Sequence, residues 1–467
     1  MLTSISPIDG RYRKTAEPLA QYFSEAALMK FRIVVEGEYL IALSEQNDKH
    51  GKKINGLTRK LTDKEKQLIR SLYELSDSDA QIISDIETKG YKDIKATDHD
   101  VKAVEYYIKD KLGQTSLKDV LEWIHFALTS YDINTPARAL MLSEALETVM
   151  VPKIDQIIKN LDLFAKKYAN LPMLARTHGQ PASPTTFGKE FKVFSQRLKR
   201  QFYQLKNQKL SVKFSGATGN FNAHAAAFPK INWVEFSKKF IKILNKNRLI
   251  TLEPNLVATQ IDPHDSEAEI FDCLRRINTI LIDFNQDMWR YISDEWIVQK
   301  AVEGEIGSSA MPHKINPIKF ENSEGNLGIA NALFEFFSRK LPVSRLQRDL
   351  SDSTVERNFG TALAHCLIAY EYLLKGLSRI SVNEQKVRDD LNSHPEVLAE
   401  AIQTILRREG VAMPYEKLKA LTRGKHIALD DLRKFIDQLD VSAAIKKELK
   451  AFTPENYIGL ASKLATL

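Results

Sequence analysis

Residues 304–326 read Gly-Glu-Ile-Gly-Ser-Ser-Ala-Met-Pro-His-Lys-Ile-Asn-Pro-Ile-Lys-Phe-Glu-Asn-Ser-Glu-Gly-Asn. Ser308, Ser309, His313, Lys314 and Asn316 all donate hydrogen bonds. Gly304 and Gly307 free the backbone, while Pro312 and Pro317 forbid a continuous helix. A donor-rich segment of this kind suits a loop that closes over an anionic ligand. The plainer alternative is a solvated connector, which does not need so many different functional groups in so short a run.

Three other polar stretches carry side chains that do chemistry. They are Asp98-His99-Asp100, Arg176-Thr177-His178-Gly179-Gln180-Pro181 and the segment from Arg348 to Arg357. Each also has an ordinary reading: helix-capping residues, a packing histidine, salt-bridge arginines. His-x-x-x-His and Cys-x-x-Cys spacings are absent, as are a P-loop, a Gly-x-Ser-x-Gly elbow and a dinucleotide fingerprint. What is left is acid–base chemistry without a cofactor, on a substrate that needs several cationic contacts.

The elements that must hold these stretches read as helices. Apolar residues recur at three- and four-residue steps over 25–46. Thr62-Asp63-Lys64-Glu65 is a capping box opening a helix to about Leu75, and another runs over 77–88. Asp98 or Asp100 is expected to cap the helix that follows them, with His99 near its positive end. A helix is expected over 117–131. A very long helix over 136–169 is expected to start with Pro136 at its first position and to kink at Pro152. Further long helices are expected over 184–212, 265–302, 317–338 and 353–380. The residues around His178 are expected to form a loop, and no strand–helix alternation is evident. The fold class is therefore all-α, in three segments: an N-terminal helical domain (1–116), a central long-helix bundle (117–380) and a small C-terminal helical domain (381–467).

Composition agrees. The 467 residues are 43% apolar and 27% charged, ordinary for a globular chain. A net charge of +7 from 67 basic and 60 acidic residues helps to attract an anion, but no basic stripe with interleaved aromatics points to nucleic acid. Lys238, Lys239, Lys242 and Lys246 read as a solvated helix face. Two distant cysteines, Cys273 and Cys366, make no disulfide framework, and no membrane-length apolar run occurs. The expectation is a cytoplasmic protein with no membrane or nucleic-acid partner.

Gly307-Ser308-Ser309-Ala310-Met311-Pro312-His313-Lys314-Ile315-Asn316-Pro317 resembles the signature of the fumarase/aspartase/argininosuccinate lyase superfamily. With His313 in Met-Pro-His-Lys-x-Asn-Pro, it is similar to the adenylosuccinate lyase family within it, in the longer bacterial form. The resemblance extends over Ser6–Tyr12, His99–Glu105, Thr129-Ser130 with Asp132-Ile133-Asn134, Arg176–Pro181, Thr259-Gln260, Leu341–Arg345 with Gln347–Leu350, and Asp352–Val355. There are departures: Asp98 stands where Asn is usual, Tyr131 where Glu is common, and Ser215 and Thr218 alter a Gly-Ala-Gly segment.

The resemblance implies a three-domain fold whose central helices associate into a homotetramer, with active sites shared between subunits and no cofactor or metal. It implies β-elimination of fumarate from adenylosuccinate to give AMP, and from the succinyl-carboxamide intermediate of purine synthesis (SAICAR) to give AICAR. It makes His178 the acid that protonates the leaving nitrogen and Ser308 the base. On chemistry alone a histidine base such as His99 suits the step, and Ser309 is the rival within the motif. Lys314, Asn316, Thr129 and Ser130 are implied to bind the succinyl carboxylates, with Glu321 supporting His178. Arg11, Tyr12, Arg348, Ser353 and Arg357 are implied to hold phosphate and ribose. Asp98, His99, Asp100, Gln260, Asn322 and Thr354 complete the implied substrate contacts. Another fumarate-releasing lyase such as argininosuccinate lyase, a non-catalytic helical scaffold and a nucleotide-binding regulatory bundle are the alternatives.

Overall fold

A computed structural model describes residues 2–47, 50, 58–245, 248–301, 311, 313–423 and 427–467. Ser308 and Ser309, and Lys246 of the lysine face, lie outside them. The described residues are mostly helical, and their strands form three two-stranded sheets. Two compact units are present. The first comprises Met1–Ile154, Gln201–Thr279 and Gly325–Glu371; the second comprises Asp155–Arg200, Ile280–Glu324 and Tyr372–Leu467.

In the first unit, side-chain caps start the N-terminal helices. The Ser24 hydroxyl accepts from the Ala27 amide (3.1 Å) at the head of Glu25–Ser44. Thr62 and Glu65 close the expected capping box of Asp63–Ser71 reciprocally, and Ser76 caps Asp77–Thr88. Ile33, Leu40, Ile69, Ile83, Val104, Tyr107 and Ile108 bury their side chains together. Burying each contributes about 1.5–3 kcal/mol.

The segment 117–131 is not the expected helix. Before Ser130 only Leu121–Trp123 forms a helical turn, and His125 and Ala127 take positive φ (58° and 59°). The buried Glu36 carboxylate accepts from the His125 amide (3.1 Å) and pairs with its Nδ1 (2.6 Å). Those bonds, with Leu117, Val120 and Ile124 plugged into the core, outweigh helix formation here.

Pro136 does not open the next helix. That helix begins at Ser130, because Asp132 Oδ2 accepts from the Thr129 amide (2.9 Å) and so fixes the helix end upstream of the proline. It continues through a π-helical turn, Leu146–Met150, into Val151–Lys167. The wider turn lies where Pro152 withdraws a backbone donor.

The helix expected over 184–212 is Phe187–Lys206. Lys209–Lys213 instead pairs in parallel with Thr251–Asn255 and alternates, with Leu210 and Val212 buried. The lysine face of Trp233–Leu244 is exposed at Lys238, Lys239 and Lys242.

In the second unit, Phe164 stacks on Phe191 (4.9 Å between centroids), and Phe194 meets Phe284 edge-on (5.2 Å). The helix expected over 265–302 stops at Ser293. Glu295 turns the chain at φ 62°, and Ile297–Gln299 pairs with Ile380–Val382. The helix expected over 353–380 is broken into Ser351–Glu356 and Phe359–Leu377. Short C-terminal helices surround Leu398, Ile402, Leu406, Leu432, Ile436 and Leu449.

Candidate active site

His178 does not lie in an irregular loop. Pro172–Thr177 and Gln180–Thr186 form an antiparallel hairpin with Thr177 opposite Gln180, so His178 and Gly179 are its two turn residues. Both take left-handed backbone angles, φ 52° and 74°. That is the geometry of a two-residue hairpin turn whose twist matches the strands. His-Gly was a readable signal for it, hidden by Pro181 and Pro184. Prolines are tolerated here because each strand of a two-stranded sheet is an edge. The turn holds the imidazole out from the strand ends. It is exposed, and among the described residues neither ring nitrogen has a hydrogen-bond partner.

The other candidates of the second unit flank the start of Ile318–Lys340. Lys314 is exposed, and its amide donates to the Met311 carbonyl (3.1 Å). Asn316 is half-buried, while Glu321 and Asn322 lie in the helix's first turns. Glu321 Oε1 accepts from Trp289 Nε1 (3.1 Å) rather than from His178.

In the first unit, several candidates converge. His99, not Asp98 or Asp100, caps Asp100–Leu112: its Nδ1 accepts from the Lys102 amide (3.3 Å). Its Nε2 lies 3.3 Å from Ser130 Oγ, which joins two predicted ligand residues. An imidazole nitrogen replaces the expected carboxylate because Asp100 is already engaged. Asp100 Oδ2 pairs with Arg32 (2.6 Å) and Arg357 (3.3 Å), and Oδ1 accepts from the Val101 amide (2.8 Å). Burial works against its charge, but Arg32 holds its carboxyl below the usual range. Arg32, buried, was not singled out by sequence; it also donates to Asn134 Oδ1 (2.8 Å). Asp98 is exposed with φ 47°. Asn and Asp are the residues that tolerate this backbone best, which accounts for the exchange of one for the other there.

Arg357 and Asp9 line a cavity of about 270 Å³ with Ser6, Arg13 and Ser24. Arg357 also pairs with Glu25 (2.5 Å). Arg11 is exposed at a neighbouring cavity with Ser4 and Ser6, and Tyr12 stands at the head of the short helix Arg13–Ala16. Arg348 pairs with Asp352 (3.3 Å), whose Oδ1 accepts from the Ser353 amide (2.6 Å). Thr354 is exposed in that same short helix, and Gln260 is half-buried in the loop after Asn255.

Beneath Thr129 and Ser130 lies a pair that sequence reading missed. Lys213 Nζ is 2.8 Å from Asp132 Oδ1, and both side chains are wholly buried. Asp132 Oδ1 also accepts from the amides of Ser215 (2.8 Å) and Gly216 (3.1 Å), and Lys213 donates to the Gly216 carbonyl. One carboxylate therefore ties the Thr129 amide to the Gly-rich segment. A lysine inside a strand of buried apolar residues was the available signal. Burial lowers the Lys213 ammonium from its ordinary value, against the pull of Asp132. Nearby, burial pushes His224 down to about 4.

Comparison with known proteins adds to this geometry. The family described as Lyase matches residues 10–331, and the one described as Adenylosuccinate lyase C-terminal matches residues 344–458. The adenylosuccinate lyase of Dictyostelium discoideum is 49% identical, covering 98% of this chain and 97% of that protein. The adenylosuccinate lyase of Haemophilus influenzae is 47% identical over 99% and 98%. That of Escherichia coli K12 is 46% identical over 98% and 97%. Two solved structures share the fold. A fumarate lyase from Mesorhizobium has a TM-score of 0.71 at 17% identity, covering 96% of both chains. A 3-carboxy-cis,cis-muconate lactonizing enzyme from Pseudomonas putida has a TM-score of 0.69 at 19% identity, covering 96% of this chain and 94% of that one.

Proposed function

The chain belongs to the adenylosuccinate lyase family, and on that premise we propose that it eliminates fumarate from adenylosuccinate to leave AMP, and from SAICAR to leave AICAR. The observation that carries this reading is near-full-length identity of 46–49% to curated adenylosuccinate lyases, with His178, Lys314 and both motif serines present. Neither a retired scaffold nor argininosuccinate lyase is favoured.

The reaction removes a proton from a carbon beside a carboxylate and protonates the departing nitrogen. His178 is assigned the second task. An exposed imidazole at a rigid turn, with no internal partner, is available to donate to a substrate nitrogen. Ser308 is assigned the first task, with Ser309 as the alternative. Its alkoxide requires neighbouring N–H groups and the Lys314 ammonium for stability. Lys314, Asn316, Thr129 and Ser130 bind the succinyl carboxylates and stabilise the charge that develops there. Arg11, Tyr12, Arg348, Ser353 and Arg357 take phosphate and ribose, since guanidinium forks suit phosphate. Asp98, His99, Asp100, Gln260, Asn322 and Thr354 complete the contacts, and Glu321, bonded to Trp289 within the chain, is assigned to support a His178 supplied across the shared site.

We also propose a homotetramer with sites shared between subunits, three domains (1–116, 117–380 and 381–467) and a cytoplasmic location. The helix Ile318–Lys340 supports association. It exposes Ile318, Ile329 and Phe336, and an added Cβ at Gly325 or Gly328 would meet nothing within 4 Å, so a second helix can approach closely. No described helix is long and apolar enough to cross a membrane.

The test is to offer the purified protein adenylosuccinate, SAICAR and argininosuccinate and to follow fumarate. Release from the first two supports the reading; release only from argininosuccinate, or none, rejects it.

A further inference from the structure

In sequence Tyr131 is a departure from the family's common residue. In the fold it is almost fully buried, at 2% exposure, and the Arg348 guanidinium carbon lies 3.9 Å from its ring centroid. That distance is closer than any other cation–ring contact among the described residues. The ring is itself fixed. Its hydroxyl donates to Glu356 Oε2 (3.2 Å), and Arg138 Nε lies 3.1 Å from the same oxygen. Glu356 Oε1 faces His264 Nε2 at 3.9 Å. All four side chains are buried, so the ring has little room to shift.

We propose that Tyr131 is a positioning residue that presents Arg348 to the 5′-phosphate of the nucleotide; this rests on the reading of Arg348 as a phosphate ligand. The physical reason is what a ring does and a carboxylate does not. A ring against the guanidinium carbon limits where the cation can sit and stabilises it through its π face. It takes no N–H group, so Nη1 stays available for a phosphate beside the long Asp352 contacts, where a second directly bonded carboxylate would consume it. The Asp352 contacts, at 3.3 and 3.4 Å, are long for a charged pair and occupy only Nη2 and Nε.

The experiment measures binding of AMP and of adenosine to the intact protein by calorimetry. The readout is the ratio of the two dissociation constants, which isolates the phosphate. A merely structural loss weakens both ligands alike and leaves the ratio unchanged. Tyr131→Leu is expected to lower the advantage of AMP about 10-fold, between the size of an exposed and that of a fully desolvated cation–π contact. Tyr131→Phe keeps the ring and is expected to stay within about two-fold of the parent. Tyr131→Met serves as the non-aromatic variant if the leucine variant does not fold. Arg348→Ala sets the reference, and adding Tyr131→Leu to it should change the ratio no further. If Arg348→Ala lowers the ratio and Tyr131→Leu does not, the positioning role is overturned while the phosphate reading stands. If Arg348→Ala leaves the ratio unchanged, the phosphate reading falls and the positioning role with it.

Discussion

Lys213 and Asp132 form an ion pair of 2.8 Å with no solvent exposure on either side chain. The pair sits at the junction of the Thr129–Ser130 helix start and the Ser215–Gly216 turn, and the carboxylate accepts backbone amides from both. Breaking such a pair strands a buried charge, which costs far more than the intact pair contributes. Lys213→Met is expected to lower unfolding free energy by about 3–5 kcal/mol, read from urea denaturation. A loss under about 1 kcal/mol would show that Asp132 is satisfied by the backbone alone.

His264 gives the stability a pH dependence of definite sign. Burial lowers its affinity for a proton, but Glu267, Glu356 and Asp262 outweigh this, and its pKa is pushed up to about 9. Its ordinary value is 6.5, so the folded state holds the proton more tightly than the unfolded chain. The resulting stabilisation is whole below 6.5 and is lost as pH rises through about 9. Over that window the protein should lose up to about 3 kcal/mol, and His264→Gln should lose less. Parallel stability profiles for the two proteins would refute the assignment.

His178→Gln is expected to reduce turnover by about 10²–10⁴-fold without moving the melting temperature, because the ring is exposed and holds nothing internally. Ser308→Ala should be similarly inactive while still binding substrate. Mixing the two inactive proteins and allowing subunit exchange should restore part of the activity. No recovery after verified exchange counts against shared sites.

Gly179 is needed for its backbone rather than for space. It takes φ 74°, and an added Cβ would meet nothing within 4 Å. Gly179→Ala therefore adds about 1–2 kcal/mol of local strain, which the turn relieves by shifting His178. Turnover should fall more than stability does, and Gly179→Asn, better tolerated in this backbone, should recover much of it. Equal kcat in the alanine variant and the parent would mean the turn geometry does not set the reaction.

Much of the helical framework was legible because its causes are local. Ser24, Thr62 and Ser76 cap the helices they precede, and apolar spacing over 25–46 gave a helix to within two residues, since Glu25–Ser44 is observed. Misreadings arose where a distant group intervened. Glu36 captured His125 and dissolved a helix expected over 117–131; Thr251–Asn255 recruited Lys209–Lys213 into a strand. Of the site, the sequence named His99 and Ser130 separately, and only folding put them 3.3 Å apart. Ser308 and Ser309 were legible as motif residues and lie outside the described structure.

Sequence by itself determined the family, the helical class and the chemical inventory, because motif identity and apolar periodicity are properties of neighbouring residues. Tertiary structure alone decided that His99 rather than an aspartate caps its helix. It also decided that Asp132 is sealed against Lys213 and that Arg348 lies on the ring of Tyr131. The Asp132–Lys213 and Arg348–Tyr131 contacts depend on desolvation and on a partner far along the chain, and the His99 cap depends on Asp100 being taken by Arg32 and Arg357; none of these is written in local spacing.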